Sequence, residues 1–319
     1  MKKLIRIGTR DSQLAVWQAT QVMEALTLQG LRAELVFIKS EGDMDLITPL
    51  YAMGVQGIFT RALDAALLNE QIDLAVHSMK DVPTQLAKGL VQAAVLKRAS
   101  AKDILVYSGE PADIYQALEP RPASRSQAGL PAFTIATSSV RRKAQWLHRY
   151  PHHTITGLRG NVNTRLEKLL TLGWQGAVFA AAGLERINLR PANSIDLDWM
   201  LPAPAQGAVL VQARLGDELS REACLSIHDE DTALCTAIER DFLGTLLGGC
   251  STPISALAEI EEGEVYFRGN VLLPDGSKQA TVESILPLDK AYNLGEDAAA
   301  TLLANGGSEI LDRLFNDIK

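Results

Sequence analysis

Leu4-Ile5-Arg6-Ile7-Gly8-Thr9-Arg10-Asp11-Ser12-Gln13-Leu14-Ala15 contains the end of one element and the start of the next. Residues 4–8 read as a short buried-type strand. Asp11 or Ser12 can cap a helix in which Ala15, Ala19, Val22 and Leu26 share one face, with Gly30 just beyond its end. The same strand–turn–helix unit recurs along the chain. Asp73–His77 is a second strand, ended by Lys80-Asp81-Val82-Pro83. Phe133–Thr137 is a third, with Ser138 and Ser139 at the cap position before Val140–His148. Ile155–Leu158 leads through Arg159-Gly160-Asn161 into Val162–Leu172, and Ala177–Ala181 leads through Gly183 into Leu184-Glu185-Arg186. Strands alternating with helices predict an α/β fold of βαβ units with mainly parallel sheets.

Outward from these units, Ala99–Asp103 interrupts the first α/β block. Glu119–Pro131, with three Pro and two Arg, reads as an exposed insertion loop. Leu201–Val211 can return a strand to the first block. After Gly216-Asp217 the pattern changes to a helix around Asp231–Leu246, short strands near Ile254–Glu259, Glu264–Leu272 and Gln279–Ile285, and a terminal helix from Gly295. The expected domains are therefore 1–99 with 201–216, 103–200, and a small α+β unit over 217–319. No internal repeat is visible in the sequence.

The 319 residues are 47% hydrophobic and 22% charged, an ordinary globular composition with room for two domains or three small ones. No apolar run is long enough to span a bilayer, and the N-terminus reaches Arg6 and Arg10 before a signal-peptide core can develop. Three cysteines, Cys224, Cys235 and Cys250, do not suggest a disulfide scaffold, so the expected location is the cytoplasm. A net charge of −7 argues against general nucleic-acid binding. Residues 134–190 nevertheless carry seven Arg and two Lys against Glu167 and Glu185, while residues 217–319 carry twenty acids against seven bases. That split points to a small anionic ligand or an acidic partner at the basic segment.

Dinucleotide, Walker and His-Glu-x-x-His motifs are all missing, and Pro151 separates His148 from His152, so no metal site is expected. What stands out is where the arginines fall. Arg10, Arg141, Arg142, Arg159, Arg165 and Arg186 all follow strands or open helices, where an open α/β sheet builds its ligand crevice. Guanidinium forks suit carboxylates or phosphates, and only two acids lie within 134–190 to neutralise the set there. Asp81 also sits past a strand end, where a carboxylate can stabilise a cation or shuttle a proton; a plain turn-forming role is equally open locally. His77 reads as a packing residue. Cys224 and Cys235 fall in helical patterns, whereas Cys250 sits in a Gly248-Gly249-Cys250-Ser251-Thr252-Pro253 turn, exposed to nucleophilic or covalent use.

Five segments occur in the order of a known family: Ile5–Ala15, Ala75–Pro83, Thr137–Arg142, Leu158–Arg165 and Gly248–Cys250. On them the chain closely resembles the porphobilinogen deaminases, or hydroxymethylbilane synthases, from residue 4 to about residue 315. The resemblance implies two type II periplasmic-binding-protein-like α/β domains with a cleft between them, plus a small C-terminal α+β domain. It implies a dipyrromethane cofactor on Cys250 through a thioether. Four porphobilinogen molecules would then be condensed head to tail with loss of ammonia, and hydrolysis would release hydroxymethylbilane. Asp81 takes the catalytic place. Lys80, Ser78, Thr137, Ser138, Ser139, Arg141 and Arg142 take cofactor-contacting places, and Arg10, Arg159, Arg165 and Arg186 hold substrate carboxylates. A monomer without nucleic-acid or membrane partners is implied.

The chain departs from the family pattern at Gln56, where a lid lysine is common, at Ile47, often Asp, and at Ala205, usually Gly. The first two bear on lid closure and its anion contacts. Two rival readings compete with this one. A solute-binding module could use the same Arg cleft, but it leaves Cys250 and Asp81 unexplained. Nucleic-acid binding could run through Arg141-Arg142-Lys143, but the acidic net charge opposes it.

Overall fold

Asp103–Tyr107 is buried at every position and lies between two strands that both run opposite to it. Its neighbours are set by the course of the chain. The computed structural model describes residues 4–39, 60–119, 132–249 and 252–316. The first lobe opens with β1 (Leu4–Thr9), α1 (Gln13–Leu28), β2 (Arg32–Phe37), α2 (Arg61–Leu68), β3 (Leu74–Ser78) and β4 (Leu90–Leu96). The second holds β5 (Asp103–Tyr107), α3 (Pro111–Ala117), β6 (Thr134–Ala136), α4 (Val140–Arg149), β7 (Thr154–Thr156), α5 (Val162–Thr171), β8 (Gly176–Ala180), α6 (Ala181–Glu185) and β9 (Ser194–Asp196). The chain then returns in β10 (Val209–Arg214). It continues through α7 (Glu218–Ala223), α8 (Glu230–Thr245), β11 (Ile254–Glu261), β12 (Glu264–Leu272), β13 (Gln279–Pro287), α9 (Leu294–Leu302) and α10 (Ser308–Asn316).

The two lobes repeat one topology. The first sheet has the order β2-β1-β3-β10-β4 and the second β7-β6-β8-β5-β9. In each, four of the five strands run the same way, and the fourth in the order, β10 or β5, runs antiparallel to both its neighbours. The sheets are thus mixed, each mainly parallel with one reversed strand. The reason is the double crossing: β5 enters the second lobe from β4 of the first, and β10 enters the first from β9 of the second. Each arrives from the far side and must run against the local strands. This double crossing matches the fold expected from the resemblance, and the repeat is one of structure that the side chains do not preserve.

The crossings lie side by side. The Ala99 N–H donates to Gly207 O at 3.1 Å. Gly207 has φ +88°, and a Cβ there would stand 2.7 Å from the carbonyl oxygens of both Ala99 and Ser100. Only glycine meets both demands.

The C-terminal part is an antiparallel β11-β12-β13 sheet covered by α8, α9 and α10. Phe242 of α8 meets Phe267 of β12 edge-to-face with ring centres 5.1 Å apart. The expected single terminal helix is two, because Asn305 leaves helical geometry and Gly306 turns left-handed at φ +95°. Helix α8 also fastens this part to the lobes. The fully buried Glu239 carboxylate accepts from Arg98 (2.6 and 3.1 Å) and from the backbone N–H groups of Ala205 (2.6 Å) and Ala258 (2.8 Å). Its neighbour Arg240 donates to the carbonyls of Val82, Pro83 and Thr84, the residues directly after Asp81.

Candidate active site

The carboxyl ends of the parallel strands face one another across the lobes, and a cavity of about 330 Å³ opens there. Helix starts supply part of its wall, each formed by a local cap. Ser12 Oγ accepts from Ala15 N, Ser139 Oγ from Arg142 N, and Asn161 Oδ1 from Thr164 N at 3.0 Å. Ser138 Oγ accepts from Leu158 N at 2.8 Å and so ties the β6 and β7 turns together. Thr137 Oγ1 accepts from Ser139 N at 3.2 Å. Asn163 of α5 donates to Gln13 of α1 at 3.1 Å, linking the lobes.

Arg10, Lys80, Arg141, Arg142, Arg159 and Arg165 line the cavity with Asp81, Ser78, Thr137, Ser138 and Ser139. Six cationic side chains against Asp81 make a site for several carboxylates. Arg186 is not in that wall. Its guanidinium lies over the Trp17 ring, 5.5 Å from its centre, and donates to Gly207 O at 2.6 Å. It therefore joins the second lobe to α1 and the return crossing. Burial draws its pKa down to about 10, still cationic at neutral pH.

The charge count over 134–190, which left two acids to pair with the arginines there, missed the partner of Arg141 and Arg142: Asp103, which lies outside that segment. Asp103 is fully buried and receives Arg141 Nη2 at 2.7 Å, Arg142 Nη2 at 2.7 Å and Nε at 3.1 Å, and Gln206 Nε2 at 2.9 Å. The remaining reach of the pair goes to carbonyls, Arg141 to Leu201 O at 2.6 Å and Arg142 to Val178 O at 3.0 Å. Burial alone would raise the Asp103 pKa, but the two guanidiniums hold it well below the usual carboxylate range. The arginines are thus oriented from behind by one carboxylate, with their outer edges on the cavity wall.

Gln206 extends this network. It is fully buried, donates also to Ala101 O at 2.7 Å and accepts from Lys80 Nζ at 3.3 Å. Lys80 is lowered to about 8, first by burial and then by Arg142, with Asp81 and Asp103 pulling the other way. Arg165 comes down to about 10 through burial and the Arg142 charge, partly offset by Asp81. Asp103 and Gln206 are the positioning residues that sequence reading missed. Gln206 lies in the 201–211 run, but nothing local marks its reach to Lys80.

Cys250 lies outside the described residues, as do Gln56, Ile47 and most of the 119–131 loop. On either side of Cys250, Gly249 N donates to Thr252 Oγ1 at 3.0 Å, and Thr252 N donates to Gly249 O at 3.0 Å. The loop leaves α8 next to Thr84, which Gly244 approaches, so it starts beside the Asp81 segment. Among the described residues no cluster of metal ligands occurs, and no helix is long and apolar enough to cross a membrane.

A family model for "Porphobilinogen deaminase, dipyromethane cofactor binding domain" matches residues 5–222, and one for the "C-terminal domain" of the same family matches 233–304. A porphobilinogen deaminase of Syntrophotalea carbinolica is 42% identical over 315 residues, covering 97% of this chain and 96% of that one. Among solved structures, the periplasmic VFT2 domain of Bordetella pertussis BvgS is 14% identical with a TM-score of 0.41, over 72% of this chain and 90% of that one. An ancestral cationic amino acid solute-binding protein is 12% identical with a TM-score of 0.41, over 69% and 86%.

Proposed function

Because this chain belongs to the porphobilinogen deaminase family, we propose that the Arg-lined cavity is where porphobilinogen is deaminated and added to the growing pyrrole chain. The enzyme condenses four porphobilinogens head to tail on dipyrromethane and releases hydroxymethylbilane by hydrolysis, a step of tetrapyrrole synthesis. The observation that carries the site reading is the meeting of six cations and Asp81 in one cavity at the strand ends.

The wall suits dipyrromethane, an oligocarboxylate, because its cations outnumber its acids and are held in fixed forks. In this reading Cys250 carries it through the thioether. Arg141, Arg142, Lys80, Ser78, Thr137, Ser138 and Ser139 hold its side chains. When bound, it supplies the nucleophilic pyrrole carbon to which units are added. Arg10, Arg159 and Arg165 hold the acetate and propionate of the incoming substrate bidentately. Arg186, seated on Trp17, supports the substrate by keeping the lobes in register.

Asp81 does the chemistry on porphobilinogen. Its carboxylate faces the protonated aminomethyl group, orients it, and stabilises the ring cation left when the C–N bond breaks. Arg240 fixes the backbone after Asp81 from α8, so the acid and the cofactor-bearing loop share one support. The form proposed is a cytoplasmic monomer, the reduced thiol that attachment needs favouring the cytoplasm.

The test is Asp81→Asn. The variant should fold, keep the covalent adduct in denaturing mass spectra, and lose turnover by about two orders of magnitude or more, as for loss of a positioned charge or proton carrier. Near-parental turnover would remove Asp81 from the mechanism.

A further inference from the structure

Behind Asp81 the main cavity continues into a second, smaller one of about 90 Å³. Asp81 and Ser78 stand in the wall shared by the two, and beyond it Ala15, Gln18, Thr60, Val76 and His77 line only the small cavity. The volume is several times the roughly 10–15 Å³ that admits a single water, and about a quarter of the main cavity's.

Its chemistry differs from that of the main cleft. The lining beyond Asp81 offers the Thr60 hydroxyl, the Gln18 amide and an imidazole in place of a row of guanidiniums. Gln18 Nε2 donates to Ser78 Oγ at 2.9 Å, which fixes the amide at the mouth. His77 is only 6% exposed, and its Nε2 has no hydrogen-bond partner. Burial holds the imidazole pKa down at about 4 against a partial pull from Gln212, although neither His77 Nε2 nor Gln212 Oε1 completes a hydrogen bond. The ring is neutral at working pH, and His77 lines the small cavity with one ring nitrogen unsatisfied. An unsatisfied buried polar atom of this kind calls for a small polar ligand.

We propose that this cavity receives the nitrogen lost from each porphobilinogen and keeps it apart from the cation that remains. The inference rests on Asp81 standing beside the departing group. At each addition the C–N bond of the protonated aminomethyl group breaks and its electron pair leaves on nitrogen as ammonia. The pyrrole nitrogen lone pair fills the deficit at carbon. The proton released when the new carbon–carbon bond forms balances ammonia to ammonium. Ammonia left beside the cation would recapture it and reverse the step. A smaller pocket that opens past Asp81 removes it.

The test combines inhibition with a structural probe. Ammonium, methylammonium and tetramethylammonium chlorides are compared as inhibitors at constant ionic strength in the parent, Ala15→Leu, which fills the small cavity, and Thr60→Val, which removes an acceptor at nearly constant volume. Crystals of each are soaked in rubidium, an ion of ammonium size. The parent should be inhibited by the two smaller cations and not by tetramethylammonium, and should show rubidium in the small cavity. Both variants should keep KM for porphobilinogen within about threefold, raise the ammonium inhibition constant about tenfold, and lose the rubidium peak. Unchanged inhibition in both variants, or rubidium absent from the parent's small cavity, overturns the proposal. Thr60→Val decides alone if Ala15→Leu does not fold. Normal turnover of Asp81→Asn would instead sink the catalytic reading while the rubidium result still reports on the cavity.

Discussion

Replacing Asp103 by Asn tests the electrostatic support of the cleft most directly. The carboxylate balances two guanidiniums that are themselves 4% and 6% exposed, through three ion-pair hydrogen bonds and a fourth from Gln206. Removing one member of a buried charge network costs about 3–5 kcal/mol, because the remaining charges stay buried without a partner. The Asn amide also turns an N–H toward N–H donors. For a chain of this size the expected fall in melting temperature is of order 10 °C. The pH dependence has a definite sign. The folded-state pKa of Asp103 is depressed, so its contribution is complete above the unfolded value of about 3.9 and is lost as pH falls toward the folded value. The gap between parent and variant should be constant from pH 5 to pH 8, as approximate bounds, and narrow below about pH 4. Thermal melts by circular dichroism across that range are the assay, with exposed Asp113→Asn as the control. A variant melting within about 2 °C of the parent, or a gap that does not narrow in acid, would refute the account.

Cys250→Ser should yield a folded protein without the covalent adduct, while Cys224→Ser and Cys235→Ser retain it, since burial pushes both of those thiols up to about 12 and leaves them unreactive; intact mass under denaturing conditions decides, and an adduct lost from either buried-cysteine variant but kept in Cys250→Ser overturns the assignment. KM for porphobilinogen should rise as pH passes through about 8, where Lys80 loses its charge, and Lys80→Arg should move that limb to higher pH; an unmoved limb assigns the titration elsewhere. Ala205→Gly should change stability by less than about 1 kcal/mol, because relief of the left-handed backbone at φ +60° offsets the lost buried methyl. Ala208→Gly has no such relief and should cost about 1–2 kcal/mol in urea titrations. Equal losses at the two positions would show that Ala205 carries no strain.

Local features of the chain were legible in the sequence because near neighbours fix them. Ser12, Ser139 and Asn161 cap the helices they precede through their own side chains and the next turn's N–H groups. The buried strand before Asp81 is a continuous apolar run up to His77. The order of Arg10, Asp81, Arg141-Arg142, Arg159 and Arg165 along strand ends then predicts a basic cleft, since an α/β sheet gathers its βα turns at one edge. The break at Asn305-Gly306 is also local, a turn dipeptide with Gly306 left-handed, although the sequence reading ran one helix through it from Gly295.

Other features depend on which distant groups meet. Asp103 neutralises arginines 38 and 39 positions away because β5 runs antiparallel beside β8 under the start of α4. A charge count over one segment cannot contain that pairing. Gln206 reaches Lys80, 126 positions earlier, only because the return crossing lies against the outgoing one. Arg186 leaves the cleft for Trp17 for a similar reason: α1 belongs to the other lobe, and its ring faces the guanidinium only after the lobes are docked. Backbone propensity acts over a few residues, so sequence determined the elements and their caps. Coulomb attraction and hydrogen bonding act through space, so only the tertiary structure decided which arginines face the cavity, which are braced from behind, and which one joins the lobes.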